Sequence, residues 1–178
     1  MELYENRKER NTVYKGRIIT VVNDTVSLPN GNLAQREVVY HPGGVGVLAV
    51  TDKDEILLVK QYRYPFEKAI LEIPAGKLDK GEKEPIECGR RELKEETGAT
   101  AKNVSLLGKI YVSPGYSNEI VYIFKASGLD YGSQHLDKDE FLNVIKMPFK
   151  QALDMVYSGE ICDAKTVSAI LYYALEKR

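Results

Sequence analysis

Residues 91–98 read Arg91-Glu92-Leu93-Lys94-Glu95-Glu96-Thr97-Gly98 and concentrate carboxylates in one short stretch. Because an α-helix turns about 100° per residue, Glu92, Glu95 and Glu96 would fall on one helix face. Like charges three and four positions apart repel each other, so the cluster is unfavourable unless cations occupy it. Carboxylate oxygens suit Mg²⁺ or Mn²⁺, whereas zinc favours a Cys or His cluster, which the sequence lacks. The alternative interpretation is a solvated acidic helix face paired with neighbouring basic side chains.

The composition is that of a globular protein without an evident macromolecular partner. The 178 residues suffice for one compact domain with an accessory element, and 43% hydrophobic residues argue against a disordered chain. A formal charge of −1 provides no positive field for nucleic acid or an anionic membrane. No run reaches the roughly 18 apolar residues of a membrane span, and no signal-peptide core is present. We therefore expect a cytoplasmic protein with no nucleic-acid or membrane partner.

Patterns on both sides of the acidic stretch predict an α+β fold. The helix should run over 85–97 and end at Gly98. Upstream, apolar residues over 11–28 and 36–40, joined by a turn at Asn30-Gly31, predict an antiparallel unit at 1–43. Further strands are predicted at 45–50, 56–59, 104–112, 119–126 and 141–147, and further helices at 149–158 and 163–177. This order predicts a domain over 44–178 with a mixed sheet in an α+β or α/β/α arrangement.

Gly76 and Glu82 extend the acidic stretch into a longer motif. Five residues separate Gly76 from Glu82, and eight separate Glu82 from Arg91. The whole segment resembles the signature of the Nudix hydrolases: Gly, five residues, Glu, seven residues, then Arg-Glu, an aliphatic residue, any residue, Glu-Glu, any residue, Gly and an aliphatic residue. The chain departs from it by a one-residue insertion ahead of the helix and by Ala99 at the end. The helical carboxylates keep the spacing of the signature.

This resemblance implies a Nudix α/β/α sandwich and a metal-dependent hydrolase of a nucleoside diphosphate linked to another group. The implied cofactor is Mg²⁺, with Mn²⁺ as a possible substitute. The implied metal ligands are the backbone carbonyl of Ala75 and the carboxylates of Glu92, Glu95, Glu96 and Glu140. Glu95 is also implied in catalysis, as is Arg91, which would orient the carboxylates. Bound metal would neutralise a diphosphate and lower the pKa of an attacking water.

A second resemblance narrows the substrate. Ser113-Pro114-Gly115-Tyr116 places a proline 16 residues beyond Gly98, which is similar to the mark of the ADP-ribose pyrophosphatases within the family. A plain Pro-Gly turn is the alternative. The implied reaction converts ADP-ribose and water to AMP and ribose 5-phosphate. The implied substrate-binding residues are Arg36, Arg63, Glu72, Pro114 and Glu119. Arg63 is a sensible diphosphate ligand because its planar fork of donors matches phosphate oxygens, although a surface ion pair is the alternative.

The general base is expected in the polar stretch at 137–140. Relatives with this pattern carry a catalytic acidic residue in a loop there, and Glu140 aligns best, with Asp139 in reserve. A loop carboxylate could take a proton from metal-bound water near neutral pH, because the metal has already made that water acidic. Ordinary solvation of the loop is the alternative. His41 and His135 lack an accompanying nucleophile motif, so we expect both to be structural.

The resemblance also implies a homodimer, because in similar enzymes the N-terminal unit is exchanged between two subunits and helps to build the substrate pocket. Two other functions stay open. One is hydrolysis of another nucleoside diphosphate derivative, such as a nucleotide sugar or a dinucleotide. The other is a non-catalytic sensor that binds ADP-ribose, against which the intact carboxylates argue.

Overall fold

The structure is a computed structural model that describes residues 3–78 and 84–178. Glu82, the first glutamate of the predicted signature, lies outside the described residues. The chain forms two units, one from the residues up to Gly43 together with Tyr111–Ile120, the other from Gly44–Ile110 together with Val121–Arg178. Within the described part of the chain, no helix is long and apolar enough to cross a membrane.

The N-terminal unit is a three-stranded antiparallel sheet, as predicted. Its strands are β1 (Asn6–Lys15), β2 (Thr20–Ser27) and β3 (Leu33–Tyr40), in the order β1-β2-β3. The alternation of β2 buries Val22, Asp24 and Val26 on one face. The predicted turn between β2 and β3 contains Gly31 at a φ of 86°, a conformation that glycine adopts without steric cost.

The second unit is built on a mixed sheet of seven strands. Its elements are β4 (Gly44–Val50), β5 (Glu55–Arg63), β6 (Lys68–Glu72), β7 (Ala75–Lys77), α1 (Pro85–Thr97), β8 (Ala99–Tyr111), β9 (Ile120–Tyr131), β10 (Leu142–Pro148), α2 (Phe149–Ser158) and α3 (Ala164–Glu176). The strand order is β10-β5-β4-β9-β8, while β6 pairs with β5 and β7 with β4. The β4 and β9 strands run parallel, and β4 is antiparallel to β5 and β7. The predicted mixed sheet is therefore confirmed.

The central strand β4 is buried at every residue because both of its faces are covered. On one face, Val45 and Val47 belong to an apolar cluster with Cys88 and Leu93 of α1. On the other face, Leu48 belongs to a second apolar cluster, which includes Ala152 of α2 and Ala169 and Ile170 of α3. A sheet between α1 and the pair α2 and α3 is the predicted α/β/α sandwich.

Helix α1 begins and ends where the sequence predicts. Pro85 occupies its first position, where the missing N–H costs no hydrogen bond. Gly98 closes it with a φ of 71°, and its N–H donates to the Lys94 carbonyl at 2.8 Å. The strands β6 and β7 were not predicted. Both are short, with five and three residues, and they exist through their pairing with β5 and β4.

Candidate active site

Helix α1 carries two acidic side chains into the body of the second unit. Glu92 is 8% exposed and Glu96 only 3% exposed, whereas Glu95 is half-buried. Gly89 allows the helix to approach the sheet closely, since a Cβ at that position would meet the Val47 side chain at 3.2 Å. Packing of the apolar face of α1 against β4 thus places the adjacent acidic face at the edge of the core.

The short strand β7 meets these carboxylates directly. The backbone N–H of Ala75 donates to Oε2 of Glu96 at 2.9 Å. The carboxylate of Glu92 lies against Gly76, where a Cβ would overlap its oxygens. The glycine of the predicted motif is therefore required by space: it leaves room for the carboxylate of a residue 16 positions later in the chain.

Arg91 is paired with the acidic residues beside it. Its Nη2 lies 2.9 Å from Oε1 of Glu92, and its Nη1 donates to Oε2 of Glu95 at 2.7 Å. The orienting role that the resemblance implies for Arg91 stays a prediction. Among the residues that the structure describes, Glu96 forms no ion pair with a cation, so Arg91 does not balance the whole charge of this cluster.

The pKa values of the two buried glutamates are raised chiefly by burial and further by neighbouring negative charges. Burial raises the pKa of Glu92 to about 7, although the Arg91 charge opposes it, and the charges of Glu95 and Glu140 add to the rise. Burial likewise raises the pKa of Glu96 to about 8, against the hydrogen bond from Ala75. The charges of Glu92, Glu140 and Glu72 contribute further. The structure therefore brings Glu140 within electrostatic reach of both buried glutamates.

This donor set fits a hard divalent cation. All of the predicted ligands offer oxygen, and a cation would relieve both the burial and the mutual repulsion of Glu92 and Glu96. Over residues 3–78 and 84–178, however, no three acidic, histidine or cysteine side chains already converge as a metal site. The Arg91 guanidinium pairs with two of the carboxylates that a metal ion would bind. The five predicted ligands, Ala75, Glu92, Glu95, Glu96 and Glu140, stay a prediction.

Arg63, the predicted diphosphate ligand, is held by a buried carboxylate. Its Nε and Nη2 donate to the two oxygens of Glu72 at 2.5 and 2.6 Å. Lys165 at the start of α3 also donates to Oε2 of Glu72. Glu72 is fully buried, and burial raises its pKa. The hydrogen bond from Arg63 and the charge of Lys165 outweigh that effect and hold the Glu72 pKa below its usual value.

The same segment of chain is fixed from the N-terminus of α3. Asp163 caps this helix by accepting from the Thr166 N–H at 3.0 Å, and also accepts from Lys165 at 3.0 Å. The Thr166 hydroxyl donates to Asp163 at 2.6 Å and accepts from the Ile73 N–H at 2.9 Å. Residues 72–75 therefore link α3, Arg63 and Glu96.

The acidic loop is anchored to the last turn of α1. Gln134 donates from its side chain to the Glu96 carbonyl at 2.6 Å, and the His135 N–H donates to the Glu95 carbonyl at 2.9 Å. These bonds satisfy carbonyls that a helix end leaves unpaired. Further along, the exposed Glu140 closes a turn by accepting from the Asp137 N–H at 3.3 Å. The loop that carries the predicted base is therefore hydrogen-bonded to the helix that carries the buried glutamates.

The remaining predicted residues lie in the N-terminal unit. Arg36 forms a bidentate ion pair with Glu5, with contacts of 2.9 and 2.5 Å. Pro114 lies in a turn closed by a hydrogen bond from the Ser117 N–H to the Ser113 carbonyl. Glu119 lies 3.4 Å from Nδ1 of His41. The predicted site residues therefore form two groups, with Arg36, Pro114 and Glu119 in one unit and all the others in the second.

Sequence reasoning did not assign a role to Lys165 or Gln134. Lys165 is 93 residues from its partner Glu72, and Gln134 is 38 residues from Glu96. No local spacing could connect either pair. The sequence offered a signal only for Lys165. It lies in the stretch Asp163-Ala164-Lys165-Thr166, which is similar to the ADP-ribose pyrophosphatases.

Comparisons with known proteins agree with this arrangement. The NUDIX domain family matches residues 40–168. A second family, the nucleoside diphosphate sugar hydrolase N-terminal domain, matches residues 4–39. The chain is 46% identical over 177 residues to the ADP-ribose pyrophosphatase of Bacillus subtilis, covering 98% of this chain and 95% of that protein.

Two further similarities extend over nearly the whole chain. It is 42% identical over 167 residues to the methanol dehydrogenase activator of Bacillus methanolicus, covering 93% of this chain and 90% of the relative. The crystal structure of an ADP compounds hydrolase superposes with a TM-score of 0.86 at 25% identity, covering 99% of this chain and 96% of that one. Sequence and fold thus point to the same class of protein.

Proposed function

The chain belongs to the Nudix hydrolase family, and we propose that it cleaves the diphosphate of ADP-ribose to AMP and ribose 5-phosphate with Mg²⁺ as its cofactor. The observation that carries this proposal is the segment 72–75. Glu72 at one end holds Arg63, and Ala75 at the other end bonds Glu96 at 2.9 Å. The arginine proposed to bind the diphosphate and the acidic face proposed to bind the metal therefore both contact one short segment of the chain. The similarity to the Bacillus subtilis ADP-ribose pyrophosphatase supports the choice of substrate.

The residues of the second unit divide the chemistry between them. Arg63 binds diphosphate oxygens through its fork of N–H donors. Glu92, Glu95, Glu96 and Glu140, with the Ala75 carbonyl, hold Mg²⁺, which when bound supplies charge neutralisation and a water of lowered pKa. Glu140 accepts the proton of the attacking water as a P–O bond to the bridging oxygen of the diphosphate breaks. Arg91 orients Glu92 and Glu95 through its two ion pairs.

The N-terminal unit supports the proposal of a homodimer. Every residue of β1 is exposed, including the large apolar side chains of Val13 and Tyr14. A small sheet whose edge strand is exposed gains stability from a partner surface. We place Arg36, Pro114 and Glu119 of this unit in substrate binding. Sedimentation analysis at several protein concentrations tests the dimer, and a monomer at micromolar concentration would contradict it.

The substrate is tested by comparing kcat/KM for ADP-ribose with kcat/KM for nucleoside diphosphate hexoses and for a dinucleotide. The name of the matching N-terminal family, a nucleoside diphosphate sugar hydrolase, makes the hexoses the relevant competitors. We expect ADP-ribose to be preferred by at least about tenfold, which corresponds to about 1.4 kcal/mol of differential transition-state binding. A higher kcat/KM for a nucleoside diphosphate hexose would show that the protein is a hydrolase whose preferred substrate is that hexose derivative. Binding of ADP-ribose without hydrolysis would favour a sensor.

A further inference from the structure

Glu72 has two cationic partners although its bidentate pair with Arg63 already matches its charge. Both Arg63 bonds, at 2.5 and 2.6 Å, occupy one edge of the guanidinium. Lys165 donates to Oε2 of the same carboxylate, which is fully buried. A second cation on a carboxylate that is already paired calls for an explanation beyond its neutralisation.

The edge of Arg63 that faces Glu72 is not the edge available to substrate. Its side chain is 40% exposed. Within the described part of the chain, Nη1 of Arg63 donates no hydrogen bond. With Nε and Nη2 each bonded to Glu72, Nη1 keeps both of its N–H groups to donate to a diphosphate oxygen. The orientation of Nη1 therefore depends on how firmly Glu72 is held.

Lys165 holds Glu72 from a separate element of the fold. It sits in the first turn of α3 and also bonds the helix cap Asp163 at 3.0 Å. Two cations, Arg63 and Lys165, face two carboxylates, Glu72 and Asp163, so the group of four carries no net formal charge. Without Lys165 it would carry one negative charge beside the bound diphosphate. Like charges in a partly buried site repel strongly because solvent screens them little.

We propose that Lys165 is a positioning residue for the diphosphate: it holds Glu72 and balances its charge, so that Arg63 presents Nη1 to the substrate. Lys165 itself does not touch the substrate in this account, because its ammonium group is engaged by Glu72 and Asp163. The inference rests on the proposed function, since it assigns Lys165 to the binding of that diphosphate.

The test compares kcat and KM for ADP-ribose at saturating Mg²⁺ in the unmodified protein and in lysine variants. We expect Lys165→Met to raise KM about tenfold, with kcat changed by less than about threefold. Lys165→Arg restores a cation and should recover most of the KM. Lys150→Met is the matched control, because Lys150 is 84% exposed and pairs with Asp154 on α2. Its KM should stay unchanged.

A second pair of variants separates positioning from a merely structural role. In a Glu72→Gln background the carboxylate that joins Lys165 to Arg63 is gone, although Asp163 remains, so adding Lys165→Met should raise KM by less than about threefold. An undiminished effect in that background would overturn the inference. So would an unchanged KM in Lys165→Met, or a Lys165→Arg variant no better than Lys165→Met. Failure of the unmodified protein to cleave ADP-ribose would instead overturn the proposed function, and the inference with it.

Discussion

The backbone N–H of Ala75 donates to the Glu96 carboxylate at 2.9 Å, joining the residue before the motif glycine to the last turn of the acidic helix. Glu96 is 3% exposed and its pKa is raised to about 8, chiefly by burial. A single N–H does not compensate an ionised carboxylate in such a place. The metal-free protein therefore keeps a carboxylate that is suited to a cation and only partly satisfied without one.

Replacing Glu96 with glutamine should abolish most activity while leaving the fold intact. The glutamine carbonyl can still accept from Ala75, but it does not supply the negative charge that a metal ligand provides. We expect kcat for ADP-ribose to fall by at least about a hundredfold, with an unchanged or higher melting temperature. Glu87→Gln, on the same helix but exposed, is the matched control and should retain activity. A near-normal kcat in the Glu96→Gln variant would exclude Glu96 as a metal ligand needed for catalysis.

The stability of the metal-free protein should fall as the pH rises. Glu92 and Glu96 have folded pKa values of about 7 and about 8, against an ordinary value of 4.5 in the unfolded chain. Between these values the folded state binds protons that the unfolded state has lost, so raising the pH favours unfolding. We expect the free energy of unfolding to drop by on the order of 6 kcal/mol from pH 5 to pH 8.

Urea titrations at several pH values, with EDTA present, measure this slope. Glu72 does not contribute in that window, because its pKa is lowered and it is ionised throughout. Glu96→Gln should flatten the profile, and Mg²⁺ should raise stability more at pH 8 than at pH 6, since it binds the ionised carboxylates. A slope that persists unchanged in Glu96→Gln would show that other groups cause it.

The acidic face and its helix could be predicted from the sequence because their information is local. Glu92, Glu95 and Glu96 share a face through the helical repeat, and Gly98 ends the helix through its backbone freedom. The link between Glu72 and Lys165 could not be predicted in this way, since 93 residues separate them. Strand β7 has three residues, too few for any periodicity, and it exists because β4 offers a pairing edge.

Replacing Glu140 or Asp139 with its neutral amide shows which of the two is the general base. Glu140 lies within electrostatic reach of Glu92 and Glu96, and its side chain also closes the turn at Asp137. Glu140→Gln should lower kcat by about a hundredfold or more with little change in KM, as expected for the loss of a general base. Asp139→Asn is the control from the same loop. The reverse result would assign the base to Asp139.

The anchor of this loop should matter for catalysis more than for stability. Gln134 ties the loop to the Glu96 carbonyl with a bond of 2.6 Å. Gln134→Ala should lower kcat by about tenfold, because Glu140 would be less firmly placed, while the helix loses one neutral hydrogen bond of about 1 kcal/mol. Steady-state kinetics and the melting temperature measure the two effects. A loss of stability without a loss of kcat would limit Gln134 to a structural role.

Arg63 should be sensitive even to replacement by lysine. A lysine cannot reproduce the two bonds to Glu72 and also offer a fixed donor to the diphosphate. We expect Arg63→Lys to raise KM for ADP-ribose at least about tenfold, whereas Arg90→Lys, at a residue that donates to the Ala101 carbonyl, should leave it unchanged. Equal KM values for the two variants would exclude Arg63 from substrate binding.

Cleavage of ADP-ribose is observed directly through its two products. The purified protein is incubated with ADP-ribose and Mg²⁺, beside the Glu96→Gln variant and an EDTA control, and AMP and ribose 5-phosphate are followed by chromatography. We expect equal amounts of both products, formed only when Mg²⁺ and Glu96 are both present. No AMP from the unmodified protein, with ADP-ribose still raising its melting temperature, would contradict the hydrolase and indicate a binding protein.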